Sequence, residues 1–388
     1  MFSEILLEVL KGIGRFFLNP LTYVVVLFAV LLGYVRVKRE RKFFRRRILY
    51  GWTELQRLVA DGWIPSILLS VLIFAAGLTV TEEWLALFTV IALLVTISFL
   101  YKAGSPVYFT AIALAILWAL HTYGNEIEFW NWTFGGTFNN GLFASVAILS
   151  GLFLLAEAFL VKNHTADFAS PLMKKSARGM NAAVFKVKRL WLLPVLFVVP
   201  GDAIASYAPY WPQITIGGEA FALVLAPLVI GFEQTARHSY PEDLFPLVAK
   251  RLNWLGIAVT VFGIGAIGIP LLGVVAIAIG VIGRIVITVM THLQEKAGKI
   301  AGAPESAGVK IVGVLPGSPA DKMGLKVGEC IRKVNGQAVS NENELYEAIQ
   351  INAAHCRLEV LDRSGEVRLR QHVIYRHDHY RLGLLVVQ

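Results

Sequence analysis

The sequence contains eight histidines, and their spacing shows whether a known metal-binding motif is present. An intramembrane zinc protease needs the helical motif HExxH, in which two histidines hold the metal and the glutamate is the general base. No histidine here is followed directly by glutamate, and His372, His377 and His379 have no cysteine or carboxylate at a spacing that completes a site. We therefore expect no metal, and we interpret these three residues as solvent-exposed.

Other catalytic signatures are also missing from the sequence. The phosphate-binding pattern GxxxxGK does not occur, and the chain has no room for a soluble serine protease domain. Cys330 and Cys356 are too few for a disulfide framework and are expected to be reduced, buried thiols. We conclude that the chain is not an enzyme, and we expect no cofactor.

Five ionisable residues fall within apolar runs or at their ends and are the candidates for an ion or substrate path. One of them, His121, sits at the end of its run. Glu157 lies close enough to Lys162 to reach a membrane interface, and Arg284 can extend its long stem to the same side. Asp202 and Glu219 lie near the opposite edge. This interfacial interpretation is favoured, and a transporter site is the alternative, because prolines and glycines interrupt the apolar runs beyond residue 190.

The composition requires a membrane, since 56% of the 388 residues are apolar and only 16% are charged, against about 25% charged in soluble domains. A helix needs about 20 apolar residues to cross a bilayer. We predict an α-helical polytopic membrane domain over residues 1–295, with eight or nine spans at 16–35, 62–80, 84–100, 107–121, 141–161, 190–205, 214–232, 252–269 and 271–290.

Basic residues give the expected orientation. A zigzag of nine spans places the Lys and Arg residues of the long polar loops on one side, together with the C-terminal domain, whereas the opposite loops contain none. The positive-inside rule makes the charged side cytoplasmic. The net charge of +9 then reports orientation, and no nucleic acid is expected. The count falls to eight if Asn19-Pro20 is a re-entrant bend, and the amphipathic helix before it could lie in either interface.

Eight basic residues lie between Arg36 and Arg47, directly after the first predicted span. Lys and Arg near a membrane surface attract anionic lipid by on the order of 1 kcal/mol each. The simpler interpretation is that these residues only fix the topology.

A small-residue linker at 296–307 separates the membrane domain from a soluble module at 308–388. In the module, Ser318 is placed to cap a short helix that Gly324 ends, and Asn335-Gly336 is a two-residue hairpin signal. A capped helix is predicted to end at about residue 352, and strands are predicted at 309–314, 329–334, 357–361, 366–374 and 384–387.

The stretch GVKIVGVLPGSPADKMGLKVGECIRKVNGQAV resembles the centre of a small α+β PDZ domain, of the kind attached to bacterial membrane proteases. In this family a peptide adds as a strand beside a carboxylate-binding loop. The matching residues come last here, which implies a circular permutation. The resemblance implies a peptide-binding groove between the final strand and the capped helix, formed by Leu382, Gly383, Leu384, Leu385, Leu345 and Ile349. The alternative is a C-terminal strand that packs with the groove closed.

The opening LKGIGRFFLNPLTY, the basic run GYVRVKRERKFF and the permuted C-terminal PDZ domain together resemble the MinJ family of division-site determinants. The resemblance implies a scaffold at the bacterial cell membrane, enriched at the septum and poles. It would bridge DivIVA to MinD and, through MinD, to MinC, and it would contact other division proteins.

Three functions follow from these features. The leading hypothesis is a non-enzymatic membrane adaptor of cell division. A transporter with a regulatory PDZ domain and an adaptor that recruits clients to a separate membrane protease are the alternatives.

Overall fold

A computed structural model of the chain describes residues 2–124, 127–129, 132–134, 140–175, 179–205, 220–304, 308–351, 356–373 and 382–387. Within these residues the N-terminal part contains helices α1 to α9 and strands β1 to β5. In chain order they are α1 (Phe2–Leu18), α2 (Pro20–Phe44), α3 (Thr53–Ala60), α4 (Trp63–Ala75), α5 (Glu82–Ile97), α6 (Pro106–Tyr123), β1 (Ile127–Phe129), β2 (Trp132–Phe134), α7 (Asn140–His164), β3 (Ser170–Lys175), β4 (Asn181–Ala205), β5 (Ala220–Ala236), α8 (Pro241–Gly265) and α9 (Leu271–Ala297).

Six helical segments of the described chain are long and apolar enough to cross a membrane, which supports the predicted helical membrane region. They are Pro20–Phe44, Thr53–Ala75, Pro106–Tyr123, Gly141–His164, Pro241–Gly265 and Leu271–Ala297. The predicted eight or nine spans are not confirmed. The most apolar stretch of α7 is 89% buried, against 28–39% for the corresponding stretches of the other five segments. Helix α7 is therefore the central helix of the bundle.

The helices predicted at 190–205 and 214–232 are wrong, because the described residues of the two runs, 190–205 and 220–232, belong to the antiparallel strands β4 and β5. Each run carries a proline in its middle, Pro194 and Pro227, and the two prolines are paired in the hairpin register. Proline inside a helix removes a hydrogen bond and clashes with the preceding turn, at a cost of about 3 kcal/mol. A strand buried on both faces reads as a continuous apolar run, which mimics a membrane helix in the sequence.

Helix α4 supplies hydrogen-bond partners for backbone groups on the outer edge of β4. Ser66 donates its hydroxyl to the carbonyl oxygen of Pro194, and the amide of Leu196 donates to the hydroxyl of Ser70 at 3.0 Å. Beyond α4, the amide of Val80 donates to the carbonyl oxygen of Val198 at 3.0 Å. A strand edge without partners costs several kcal/mol per exposed group in an apolar surrounding. The helix therefore makes an open hairpin tolerable among membrane helices.

The outer edge of β5 is covered in a similar way. The amide of Gly231 donates to the carbonyl oxygen of Gly104 at 2.8 Å, and a Cβ at Gly104 would lie 2.6 Å from Cα of Gly231. Nearer the hairpin tip, a guanidinium nitrogen of Arg15 in α1 donates to the carbonyl oxygen of Leu223 at 3.3 Å. Helix α1 therefore packs on the hairpin, although the side chains of Leu10 and Ile13 are exposed.

The C-terminal part contains β6 (Val309–Val314), α10 (Pro319–Lys322), β7 (Cys330–Val334), β8 (Gln337–Ala338), α11 (Glu342–Ile351), β9 (Cys356–Leu361), β10 (Val367–His372) and β11 (Leu384–Val387). Its sheet has the order β10-β9-β7-β6-β11, with β8 paired to β7. Every strand predicted here is present, with ends shifted by at most two residues.

The predicted turn residues of this part have the expected conformations. Ser318 accepts a hydrogen bond from the amide of Asp321 at 3.3 Å, and Gly324 has a φ of +68°. Asn335 and Gly336 have φ values of +51° and +86°, as a type I′ turn requires. Local sequence signals therefore set the positions of these elements.

Candidate functional site

Strand β11 and helix α11 frame the candidate peptide site. β11 pairs antiparallel with β6, with Leu384 opposite Val314, so the last strand of the chain lies beside the first strand of the domain. Among the described strands β11 is at the end of the sheet order. Its outer edge is the place where an extended peptide would add as a further strand.

The loop that enters β11 is held against α10 by its backbone. The carbonyl oxygen of Gly383 accepts from the amide of Leu315, and that of Leu382 accepts from the amide of Ala320, both at 2.9 Å. Gly383 has a φ of +79°, and a Cβ at this position would overlap with the side chain of Ser318. The loop therefore requires glycine for both conformation and space.

Four of the predicted groove residues come together in one apolar cluster: Leu382, Leu384, Leu345 and Ile349. Each is at most 2% exposed, so the apolar lining is covered in this structure. A ligand would add along the edge of β11, and these buried side chains would have to move before its own side chains could enter the lining. The peptide-binding role of these residues stays a prediction.

Leu385 does not belong to this cluster. Successive side chains of a strand point to opposite faces. Leu385 and Val387 accordingly join Val312 of β6 in the apolar core that they share with the membrane region. Leu385 thus anchors the PDZ sheet to the rest of the protein. The signal for this role was present in the sequence, because β11 reads LLVV and is apolar on both faces.

Arg363, in the turn between β9 and β10, makes a polar contact between the two parts of the chain. Its guanidinium lies 3.0 Å from a carboxylate oxygen of Glu242 and 3.6 Å from one of Asp243, both in the first turn of α8. The same group stacks on the ring of Tyr240 at 4.2 Å and donates to the carbonyl oxygen of Val327. Sequence reasoning did not identify this contact.

The predicted linker also contacts the membrane region. The amide of Ala183 in β4 donates to the carbonyl oxygen of Gly302 at 2.9 Å, and the hydroxyl of Tyr240 donates to Ala301 at 3.0 Å. Just before the linker, the buried carboxylate of Glu295 accepts from three consecutive backbone amides, at residues 237–239. The linker therefore holds the PDZ domain in place along the membrane region.

Glu157 and Arg284 form a buried ion pair between α7 and α9, with 2.7 Å between the guanidinium and a carboxylate oxygen. Ser105 donates its hydroxyl to the other carboxylate oxygen at 2.5 Å, and Arg284 also reaches Thr288. The prediction that both charged groups extend to an interface is wrong, because each neutralises the other in the interior. Asp202 and Glu219 lie outside the residues whose side chains the structure describes.

The space beside this ion pair is too small for a substrate. The cavity that Arg284 lines has a volume of about 10 Å³, which is at most the space of one water molecule. A transport site built around Glu157 or Arg284 would need a larger, hydrated cavity. The ion pair joins α7 to α9.

Arg36 is buried and is held by Glu40 at 3.0 Å and by Glu54 at 2.5 Å. Its Nη2 also donates to the carbonyl oxygen of Tyr50 at 2.9 Å. This residue ties the end of α2 to α3 and is not available to lipid. The exposed basic residues that follow it on the same segment are Lys38, Arg41, Lys42, Arg45 and Arg47.

Both cysteines are buried, as predicted. Burial raises the pKa of Cys356 to about 11, so its thiol stays protonated near neutral pH. A protonated, buried thiol is a poor nucleophile and metal ligand. Of the three clustered histidines, only His372 lies within the described residues.

These features define a class: a helical membrane protein that carries a C-terminal PDZ domain docked against its membrane region. A family model described as "PDZ domain" matches residues 310–363. Over 385 residues the chain is 32% identical to the cell division topological determinant MinJ of Bacillus subtilis (strain 168), and the match covers 98% of this chain and 96% of the relative.

Two further relatives match a shorter part of the chain. Probable cell division topological determinants MinJ from Lacticaseibacillus paracasei and from Lacticaseibacillus casei (strain BD-II) are each 28% identical over 250 residues. These matches cover 63% of this chain and 65% of each relative. The chain belongs to the MinJ family of cell division topological determinants.

Proposed function

We propose that this protein is a non-enzymatic membrane adaptor that controls division-site placement by connecting DivIVA at the cell poles and septum to MinD and, through MinD, to MinC. Similarity to a cell division topological determinant over 98% of the chain carries this proposal. The fold supports it with two parts that an adaptor needs: helices that can hold the protein in a membrane, and a domain of a class that binds protein segments.

In this proposal the PDZ domain is cytoplasmic. The C-terminal ends of three helices support this orientation, because they carry basic residues in their last turns: Arg41 and Lys42 in α2, Lys162 in α7 and Lys296 in α9. Cytoplasmic flanks of membrane helices are enriched in Lys and Arg. The exposed basic residues between Lys38 and Arg47 would then contact anionic lipid of the inner leaflet.

The PDZ domain is the proposed site for peptide segments or free C-termini of partner proteins. A partner strand would pair with the outer edge of β11, and the amides around Gly383 would receive a terminal carboxylate. Because Arg363 and the face of Leu385 and Val387 hold the domain on the membrane region, partners bound there would be kept close to the membrane surface.

A two-part experiment with the full chain tests this proposal. A bacterial two-hybrid assay measures contact with DivIVA and with MinD, using an unrelated polytopic membrane protein as the negative control. A fluorescent fusion then reports the position of the protein in dividing cells. We expect both contacts and enrichment at the septum and poles. Loss of both contacts in a correctly inserted protein, or uniform distribution around the membrane, would overturn the proposal.

A further inference from the structure

An apolar groove runs along the outside of the helical bundle between α4 and α8, with α7 as its floor. Its volume is about 700 Å³, which lies within the range of about 300–1,000 Å³ that is common for ligand sites. Leu68 and Leu72 of α4 form one wall and are 56% and 47% exposed. Leu155 and Phe159 of α7 lie at the floor. The groove is therefore open to the surroundings of the bundle.

The groove has few polar residues in its lining. Apart from Lys162, Lys250 and Asn253, the described lining is apolar, and it contains no acidic residue. Lys162 lies in the last turn of α7. α8 begins beside the PDZ domain, where Glu242 pairs with Arg363. The two lysines therefore lie towards the end of the groove that faces the PDZ domain.

The depth and length of the groove fit a hydrocarbon chain. Ile64, Leu68 and Leu72 follow one another at four-residue spacing and so extend the apolar wall by about 12 Å along the helix axis. Ala156 and Ala249 leave space where larger side chains would fill the groove. The exposed indoles of Trp63 in α4 and Trp254 in α8 lie on the flanking helices, as expected of side chains at a membrane interface.

We propose that this groove binds an anionic glycerophospholipid, with one acyl chain along α7 and the headgroup phosphate between Lys162 and Lys250. Charge complementarity selects this occupant. Two ammonium groups without an acidic neighbour in the lining favour a headgroup with net negative charge, and they disfavour a headgroup that carries its own ammonium. Neither lysine forms an ion pair with another described residue. The proposal does not depend on the division partners.

Native mass spectrometry of the full-length protein in detergent tests the proposal, with phosphatidylglycerol and phosphatidylethanolamine as probes. We expect the wild type to bind phosphatidylglycerol about tenfold more tightly. Replacing both lysines, Lys162→Gln and Lys250→Gln, should reduce this preference to less than about threefold. The control pair Lys174→Gln and Lys175→Gln removes the same charge from exposed positions of β3 and should leave the preference unchanged.

A second variant tests the apolar part of the groove with both lysines intact. Leu68→Trp fills the groove from an exposed position, so the protein should fold while its occupancy by phosphatidylglycerol falls. Equal binding of the two lipids by the wild type would overturn the proposal. So would an unchanged preference after the double lysine substitution, or equal losses for the groove pair and the control pair.

Discussion

The guanidinium of Arg363 lies 4.2 Å from the ring centre of Tyr240, so a side chain of the PDZ domain stacks on the residue that precedes α8. Glu242 holds the other side of the same guanidinium at 3.0 Å. A Cβ at Gly328 would lie 2.5 Å from the Tyr240 ring, so the PDZ backbone also approaches this ring closely. The PDZ domain is thereby held against the membrane region by a specific polar contact beside the apolar face of Leu385.

Removing this contact should loosen the PDZ domain without unfolding it. For Arg363→Ala we expect loss of about 1 kcal/mol from the stacking, while the partly exposed ion pairs add less. Hydrogen–deuterium exchange should become faster in β6 and β11, whose Val312, Leu385 and Val387 face the membrane region. The control is Arg368→Ala, which removes an exposed arginine that pairs with Asp362 within the PDZ domain. Equal exchange in both variants would contradict the docking role of Arg363.

The sequence was informative where a structure depends on neighbouring residues, and less so where it depends on distant ones. Ser318, Gly324 and Asn335-Gly336 predicted the PDZ elements because caps and turns are local. The length of two apolar runs predicted membrane helices where the structure has the hairpin of β4 and β5. The pairing of Pro194 with Pro227 is visible only in the folded protein. The contact of Arg363 with Tyr240 joins residues far apart in the chain, and neither residue type marks it. This contact can be recognised only when the positions of helix α8 and of the turn after β9 in the folded protein are known.

The ion pair of Glu157 with Arg284 offers a second prediction. Removing one member leaves the other charged and buried, which costs about 3–5 kcal/mol in buried pairs. We expect Arg284→Met to lower the unfolding temperature strongly in detergent. The double variant Glu157→Gln with Arg284→Met should recover much of this loss, because no unpaired charge then remains. Arg41→Met, at an exposed position of α2, is the matched control and should have little effect.

A transport role for the pair predicts a different pattern. In that case the single and double variants would both retain stability near that of the wild type, because a hydrated cavity would solvate the remaining charge. Recovery in the double variant distinguishes a structural pair from a pair that faces water.

The protection of Cys356 is a third prediction. Because burial raises its pKa to about 11, the thiol should remain protonated at pH 8.5, where an exposed cysteine is about half ionised. Alkylation by iodoacetamide, followed by mass spectrometry of the native protein, should be slow at this residue and fast after denaturation. A cysteine introduced by Ser364→Cys, in the exposed turn after β9, provides the reactive reference. Rapid labelling of native Cys356 would show that β9 opens or that the thiolate is stabilised.

Gly383 allows the peptide site to be tested through its backbone. Alanine at this position would have to adopt a φ of +79°, which costs on the order of 1–2 kcal/mol, and its Cβ would in addition overlap with Ser318. We expect Gly383→Ala, and more strongly Gly383→Val, to displace the loop that enters β11 and to weaken binding of peptides that end in an apolar residue. Fluorescence anisotropy with the full-length protein measures this affinity.

Gly336→Ala is the control that separates the free-energy cost of backbone strain from the loss of the peptide site. Gly336 has a φ of +86° with open space around it, so this variant bears similar backbone strain at a turn between β7 and β8. Its stability should fall by about 1 kcal/mol while peptide affinity is retained. If Gly383→Ala bound peptides as tightly as Gly336→Ala does, the loop at β11 would not be the carboxylate site. If both variants lost affinity in proportion to stability, the effect would belong to folding of the domain and not to the groove.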